Sequence, residues 1–192
     1  MKKQLLLIAL SVLTLGATAQ EWSIDNSHSS VKFKARYMMF SDVEGTFKKF
    51  QGTFTSSKSD FSDLQVNMTV DVASVNTDNE MRDNHLKADD FFNAEKFPSM
   101  SFKSTGIKSL GGGKFVLSGD LTIRDVTKRV DVPVVYGGTT KDPWGNTRAG
   151  FKATGKLNRK EFKLSWDTKN DLGEAVVGDE VEFTIDASLI KK

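Results

Sequence analysis

Along the final stretch of this chain, apolar and polar residues alternate almost without a break. Val181, Phe183, Ile185, Ala187 and Leu189 fall on one side, and Glu182, Thr184, Asp186 and Ser188 on the other. A period of two puts successive side chains on opposite faces of a strand, so the segment reads as a strand with one buried and one wet face. The alternation returns at 31–37, where Val31, Phe33, Ala35 and Tyr37 interleave with Lys32, Lys34 and Arg36, and again from Leu64 to Val72. It recurs at 115–123 and 149–157, where Gly119, Ala149, Ala153 and Gly155 share a face with much larger residues. Residues 43–54 form a further strand, but Phe47, Phe50 and Phe54 break its period. Gly45 and Gly52 predict a bulge or sharp bend there.

One segment departs from this rule. Thr77-Asp78-Asn79-Glu80 fits a capping box with Thr77 as N-cap, and Met81, His85, Ala88 and Phe92 follow at helical spacing. A helix is predicted over 78–90, with Pro98 limiting its continuation. Gly111-Gly112-Gly113, the turn at Asp125, and Asp142-Pro143-Trp144-Gly145-Asn146 punctuate the rest. About eight strands with short turns result. Antiparallel strands hide their edges best by closing on themselves, so an all-β, antiparallel eight-stranded β-barrel with one or two short helices inserted is predicted ahead of a two-sheet sandwich.

At the amino terminus, Lys2 and Lys3 precede an apolar run over 5–15 and an Ala17-Thr18-Ala19 cleavage pattern. This predicts a cleaved signal peptide over 1–19 and a single domain over 20–192. The run is shorter than the ~20 residues a spanning helix needs. An exported protein, periplasmic or secreted and without a stable membrane anchor, is expected. The absence of Cys excludes disulfides, thiol chemistry and thiolate metal sites. Lys and Arg total 27 against 25 Asp and Glu, and loss of Lys2 and Lys3 with the leader balances the two. Such a surface gives no electrostatic case for nucleic acid.

Catalytic motifs are scarce. His28 and His85 lie in neither H-E-x-x-H nor H-x-H spacing, and a metal set with Asp83 or Asp89 has little to support it. Asp25, Ser27 and His28 carry the residue types of a hydrolytic triad but sit too close together in one extended stretch to converge. Gly150 to Lys156 resembles a P-loop until Leu157 replaces the hydroxyl residue, and it lies within a strand. No catalytic residue, metal ligand or cofactor is therefore assigned, and no enzyme is expected.

What remains is the interior. Phe33, Phe102, Phe115, Leu117, Leu121, Phe151, Phe183 and Ile185 supply apolar wall, whereas Ala35, Gly119, Ala149, Ala153, Gly155 and Ala187 supply almost no volume. An eight-stranded barrel can be filled by its own side chains or, when they are trimmed, can hold a small ligand. Pattern alone leaves both open: Phe rings fitting over the small residues, or a lumen completed by an apolar guest.

A resemblance bears on that choice. Trp22-x-Ile24-Asp25-x-x-His28-Ser29-x-Val31-x-Phe33 and Val43-x-Gly45-x-Phe47-x-x-Phe50-x-Gly52 resemble the opening of the YceI-like family of exported lipid-binding proteins. Arg82-Asp83-x-His85-Leu86-x-x-x-Asp90-Phe91-Phe92, then Pro98, is similar to that family's helix segment. Gly119-x-Leu121-Thr122-Ile123 with Val126-Thr127-Lys128, Asp142-x-Trp144-Gly145-x-x-Arg148-x-Gly150-Phe151, and Asn158-Arg159-x-x-Phe162 follow in the family's order. Asp125 and Lys163 stand where the family tends to have Gly. The resemblance implies a lipocalin-like barrel whose tunnel takes a long isoprenoid or similar amphiphilic lipid, without catalysis. The expected tunnel residues are Phe33, Ala35, Phe102, Phe115, Leu117, Leu121, Phe151, Ala153, Phe183 and Ile185. Arg82, Asp83 and His85 are expected at the headgroup and mouth. The expected partner is the lipid, with the protein a monomer or homodimer. A packed barrel acting through its surface, or a His-dependent enzyme on a hydrophobic substrate, are the alternatives.

Overall fold

The structure, a computed structural model, describes residues 19–192. The predicted leader lies outside the described residues, apart from Ala19. Eleven strand segments are present: β1 (Gln20–Ile24), β2 (Ser30–Tyr37), β3 (Ser41–Phe47), β4 (Phe50–Ser56), β5 (Gln65–Asp71), β6 (Val75–Asn76), β7 (Ser99–Gly111), β8 (Lys114–Ile123), β9 (Val126–Lys141), β10 (Thr147–Asn158) and β11 (Val177–Lys191). A short helix, α1 (Glu80–Leu86), and two 3-10 turns, Val72–Ser74 and Arg159–Phe162, join them. None of these helices is long and apolar enough to cross a membrane.

The eleven segments form eight staves, because β1–β2, β3–β4 and β5–β6 are each one bent stave. Every stave pairs antiparallel with its sequence neighbours. The ring closes through β11. Its last residues pair with β1 (Ile24↔Leu189) and its first half pairs with β2 (Phe33↔Phe183). The result is a closed antiparallel eight-stranded barrel with no long free edge.

Local chemistry departs from the sequence reading at three places. The bend predicted at Gly45 and Gly52 falls at Lys48–Lys49 instead. There the backbone turns out of the ladder, and Lys48 N and Lys49 N donate to Ser74 O and Oγ at 3.1 and 3.0 Å. The helix is shorter than predicted. Asn79, not Thr77, caps it by accepting from Arg82 N, while Thr77 N and Oγ1 donate to Asp83 at 2.8 and 2.6 Å. In the β8–β9 turn, Arg124 rather than Asp125 takes the left-handed backbone, with φ 55°. Asp125 pairs with Lys163 Nζ at 2.7 Å, and Lys163 is itself left-handed, where Gly is favoured.

The two ends of the barrel differ. One is sealed by an aromatic cluster around Phe61, which is 2% exposed and lies 5.3, 5.1 and 5.0 Å from the rings of Trp22, Tyr136 and Phe151. Leu189 and Ala149 pack tightly beside it. Towards this end Arg148 bridges two carboxylates, Asp25 at 2.5 Å and Asp142 at 2.7 Å. The Arg148 guanidinium, then His28, holds the Asp25 carboxyl well below the usual range. At Asp142, desolvation pushes the pKa up, but hydrogen bonds from Arg148, Asn146 and the backbone outweigh it and bring it down to about 2.

Carboxylates depressed in the folded state stabilise it above their unfolded pKa of about 4 and lose that contribution as pH falls through the folded value. Arg148→Met is therefore expected to lower Tm at pH 7. The gap to wild type should shrink as pH falls from about 4 towards 2. Thermal melts across that range check it, and a gap that widens on acidification contradicts the assignment.

Candidate functional site: an apolar cavity open at one end

The inward face of β11 is only half-buried: Val181, Phe183, Ile185 and Ala187 all retain some exposure. The cause is a hollow. A cavity of about 610 Å³ runs through the barrel, within the range of small-molecule and cofactor sites. It extends from Phe54, Leu64 and Val134 near the sealed end to Tyr37, Val177 and Trp166 at the other, and its lining is overwhelmingly apolar. On the opposing wall of β4, β5 and β8 the lining residues Phe54, Val66, Met68, Val70 and Leu117 are all buried.

Three Phe–Gly contacts explain why so aromatic an interior is not full. In the ladder β10–β11–β2–β3, Gly155 pairs with Phe183, Phe183 with Phe33, and Phe33 with Gly45. Each ring leans over its glycine. A Cβ added to Gly155 would lie 2.5 Å from Phe183 Cζ, and one added to Gly45 would collide with the Phe33 ring. On the β7–β8 wall, Phe102 covers Gly119 in the same way. Glycine removes the side chain that would push the ring away, so the ring lies along the wall instead of pointing to the centre. Gly119 and Gly155 are therefore not empty volume, as their size suggests, but seats for rings. Ala35, Ala153 and Ala187 border the cavity directly.

The mouth is built by α1 and the loops after it and after β10. Two arginines fix these loops. Arg124 Nη1 donates to the carbonyls of Asp89, Phe91 and Lys163 at 2.7–2.8 Å. Arg159 donates to the carbonyls of Leu164, Trp166, Val177 and Gly178 and to Asp179. Burial pushes the Arg159 pKa down, opposed by Asp179 and Asp167. His85 sits edge-on to Phe91 and Trp166, with centroids 4.9 and 5.5 Å away, and its Nε2 meets Asp90 Oδ2 at 3.1 Å. Arg82 donates to Thr77 Oγ1 and O, both at 2.7 Å.

Of the residues singled out from sequence, Phe33, Ala35, Phe102, Leu117, Leu121, Phe151, Ala153, Phe183 and Ile185 line the cavity. Phe115 does not; it is buried within the main core cluster. At the mouth, Arg82 and His85 border the cavity, whereas Asp83 is turned away and bonded to Thr77. His28 is exposed beside Asp25. No group of three or more metal-ligating side chains occurs among the described residues. Sequence reasoning missed Phe92, Met100 and Trp166 in the lining, the seal at Phe61, and the clamps at Arg124 and Arg159. The advance signals among these were Phe92 and Arg159, both within the family pattern.

A closed barrel with an apolar lumen, a sealed floor and an open mouth defines a lipocalin-like fold. The chain belongs to the YceI family: the YceI-like domain matches residues 22–189. It is 40% identical over 190 residues to Protein YceI of Salmonella newport, covering 96% of both chains. It is 40% identical over 178 residues to UPF0312 protein plu2095 of Photorhabdus laumondii, covering 90% of both. Among solved structures, BcnA of Burkholderia cenocepacia superposes with a TM-score of 0.75 at 26% identity, over 86% of this chain and 98% of that one. A polyisoprenoid binding domain from Saccharophagus degradans shares the fold, with a TM-score of 0.66 at 14% identity over 89% and 98%.

Gly155→Ala tests the seating of the rings. The variant is expected to fold at a cost of about 1–3 kcal/mol, typical of overpacking, with the Phe183 ring driven into a smaller lumen. A crystal structure showing Phe183 still flat over residue 155 and an undiminished cavity contradicts the account.

Proposed function

We propose that this protein is an exported, non-catalytic carrier that holds a long-chain isoprenoid or similar amphiphilic lipid in its lumen. The observation that carries this reading is the cavity, apolar along its length and closed at one end. A single-ended apolar tube suits a molecule with one greasy tail and one polar head. Burial contributes about 0.8 kcal/mol per CH₂, so a tail of ~20 carbons retains on the order of 10 kcal/mol after ordering costs. The shared fold of the polyisoprenoid binding domain is consistent with such a guest. The leader-like amino terminus supports export, and the even charge balance gives nucleic acid no foothold.

In this reading Phe33, Ala35, Phe102, Leu117, Leu121, Phe151, Ala153, Phe183 and Ile185 hold the tail. Arg82 and His85 receive the headgroup. Arg82 keeps a guanidinium nitrogen beyond its two bonds to Thr77, which suits a headgroup rich in acceptor oxygens. The His85–Asp90 pair is also what an enzyme on a hydrophobic substrate would need. We assign it to positioning, because Ser165 N and Trp166 N donate to Asp90 O and the imidazole packs edge-on against the stacked Phe91 and Trp166 rings.

Native mass spectrometry of protein purified from its own host is expected to show one intact lipid per barrel. An unloaded protein with a filled interior contradicts the carrier role, and recovery of cleaved lipid favours the enzyme. Ala153→Trp, placed mid-lumen, is expected to abolish loading while leaving the strand-rich circular dichroism spectrum unchanged. Normal loading by that variant refutes the placement of the tail.

A further inference from the structure

The rim of the mouth carries large apolar side chains that nothing covers. Met39 and Phe40, on the β2–β3 turn, are 54% and 75% exposed. Leu172, in the loop before β11, is 82% exposed, and Met81, one helical turn before His85 on α1, is 84% exposed. These positions are neighbours around the ring. Met38 N donates to Val176 O at 2.8 Å, tying the β2–β3 turn to the base of the Leu172 loop. In the other direction β3 pairs with β6, which leads into α1. These apolar tips stand beside the cavity, whose lining reaches Tyr37 and Val177 next to the turn and Arg82 and His85 on α1.

The turn itself is built against its own backbone preference. Phe40 N closes onto Tyr37 O, and the two central residues, Met38 and Met39, take φ of 50° and 63°. A two-residue hairpin turn with both central residues left-handed favours Asn-Gly. Two Met there are disfavoured, so the chain keeps apolar residues at the tip at a cost to local stability. Beside this turn the charges are paired: Arg36 and Lys34 with Asp42, and Lys34 also with Glu182.

We propose that this rim docks reversibly on a lipid bilayer, with Met39, Phe40, Met81 and Leu172 inserting into the interface so that lipid passes between membrane and lumen without crossing water. The inference rests on the carrier reading above. Single apolar side chains on separate tips fit a fluid surface, which closes around each one. A rigid protein partner calls for a flat contiguous patch instead. Because the charges beside the β2–β3 turn are paired, the attraction of Met39 and Phe40 to a bilayer is apolar and resists salt.

The test is co-flotation of the purified protein with phosphatidylcholine vesicles, beside a separate loading assay with isoprenoid lipid presented in detergent micelles. Wild type is expected to float with vesicles equally at about 0.05 and 0.5 M NaCl. The double variant Met39→Ser, Phe40→Ser is expected to bind vesicles about tenfold or more weakly, and to load from micelles as wild type does. Leu172→Ser, on the neighbouring loop, should weaken flotation as well. Wild type that loads from micelles but does not float overturns the docking and leaves the carrier reading intact. Flotation as expected with no loading from micelles keeps the docking and overturns the carrier. Flotation unaffected by the substitutions overturns the docking. So does a wild-type dimer, by light scattering, that the double variant dissolves, since the rim is then a contact between copies.

Discussion

The seating of Phe rings over glycines is the contact on which this barrel's character depends. An eight-stranded barrel encloses little more space than its own inward side chains fill. With Phe33, Phe102 and Phe183 directed at the axis, the interior would close. Gly45, Gly119 and Gly155 let those rings lie against the wall, and the space they vacate is the cavity. A dry void of this size lowers stability, since the lining atoms lack partners on one side. The architecture makes sense when an apolar molecule supplies those partners.

The rest of the molecule gives the hollow a direction. Phe61 and its aromatic neighbours close the floor, and the Asp25–Arg148–Asp142 bridge ties strands together nearby. At the opposite end the loops lack strand partners, and Arg124 and Arg159 satisfy their carbonyls instead. The mouth therefore has a defined shape without a sheet to frame it. His85, Phe91 and Trp166 then form its inner lip.

Period-two alternation made the strands, the barrel and most of the lining legible, because the pleat fixes which side chains point inward. It did not separate Phe115 from its neighbours. Alternation reports the face of a strand, not whether that face meets a hollow or the opposite wall. Nor did it show that Gly155 and Gly45 seat rings, since the partner in each case lies on another strand. The Thr77-x-x-Glu80 spacing points to Thr77 as the cap, but its hydroxyl bonds to Asp83 within the helix and Asn79 takes the capping role. Phe61 is isolated in a polar turn, so no local pattern marks it as the seal. The arginine clamps act on carbonyls far away in sequence, which side-chain patterning cannot encode.

The most direct test of the hollow, lipid-completed interior is a crystal structure of protein purified from its own host without added detergent. The account expects elongated density along the axis, flanked by Phe33, Phe183 and Ala153, with its polar end beside Arg82 and His85. Side chains filling the centre, with the Phe183 and Phe33 rings turned inward from Gly155 and Gly45, would contradict it.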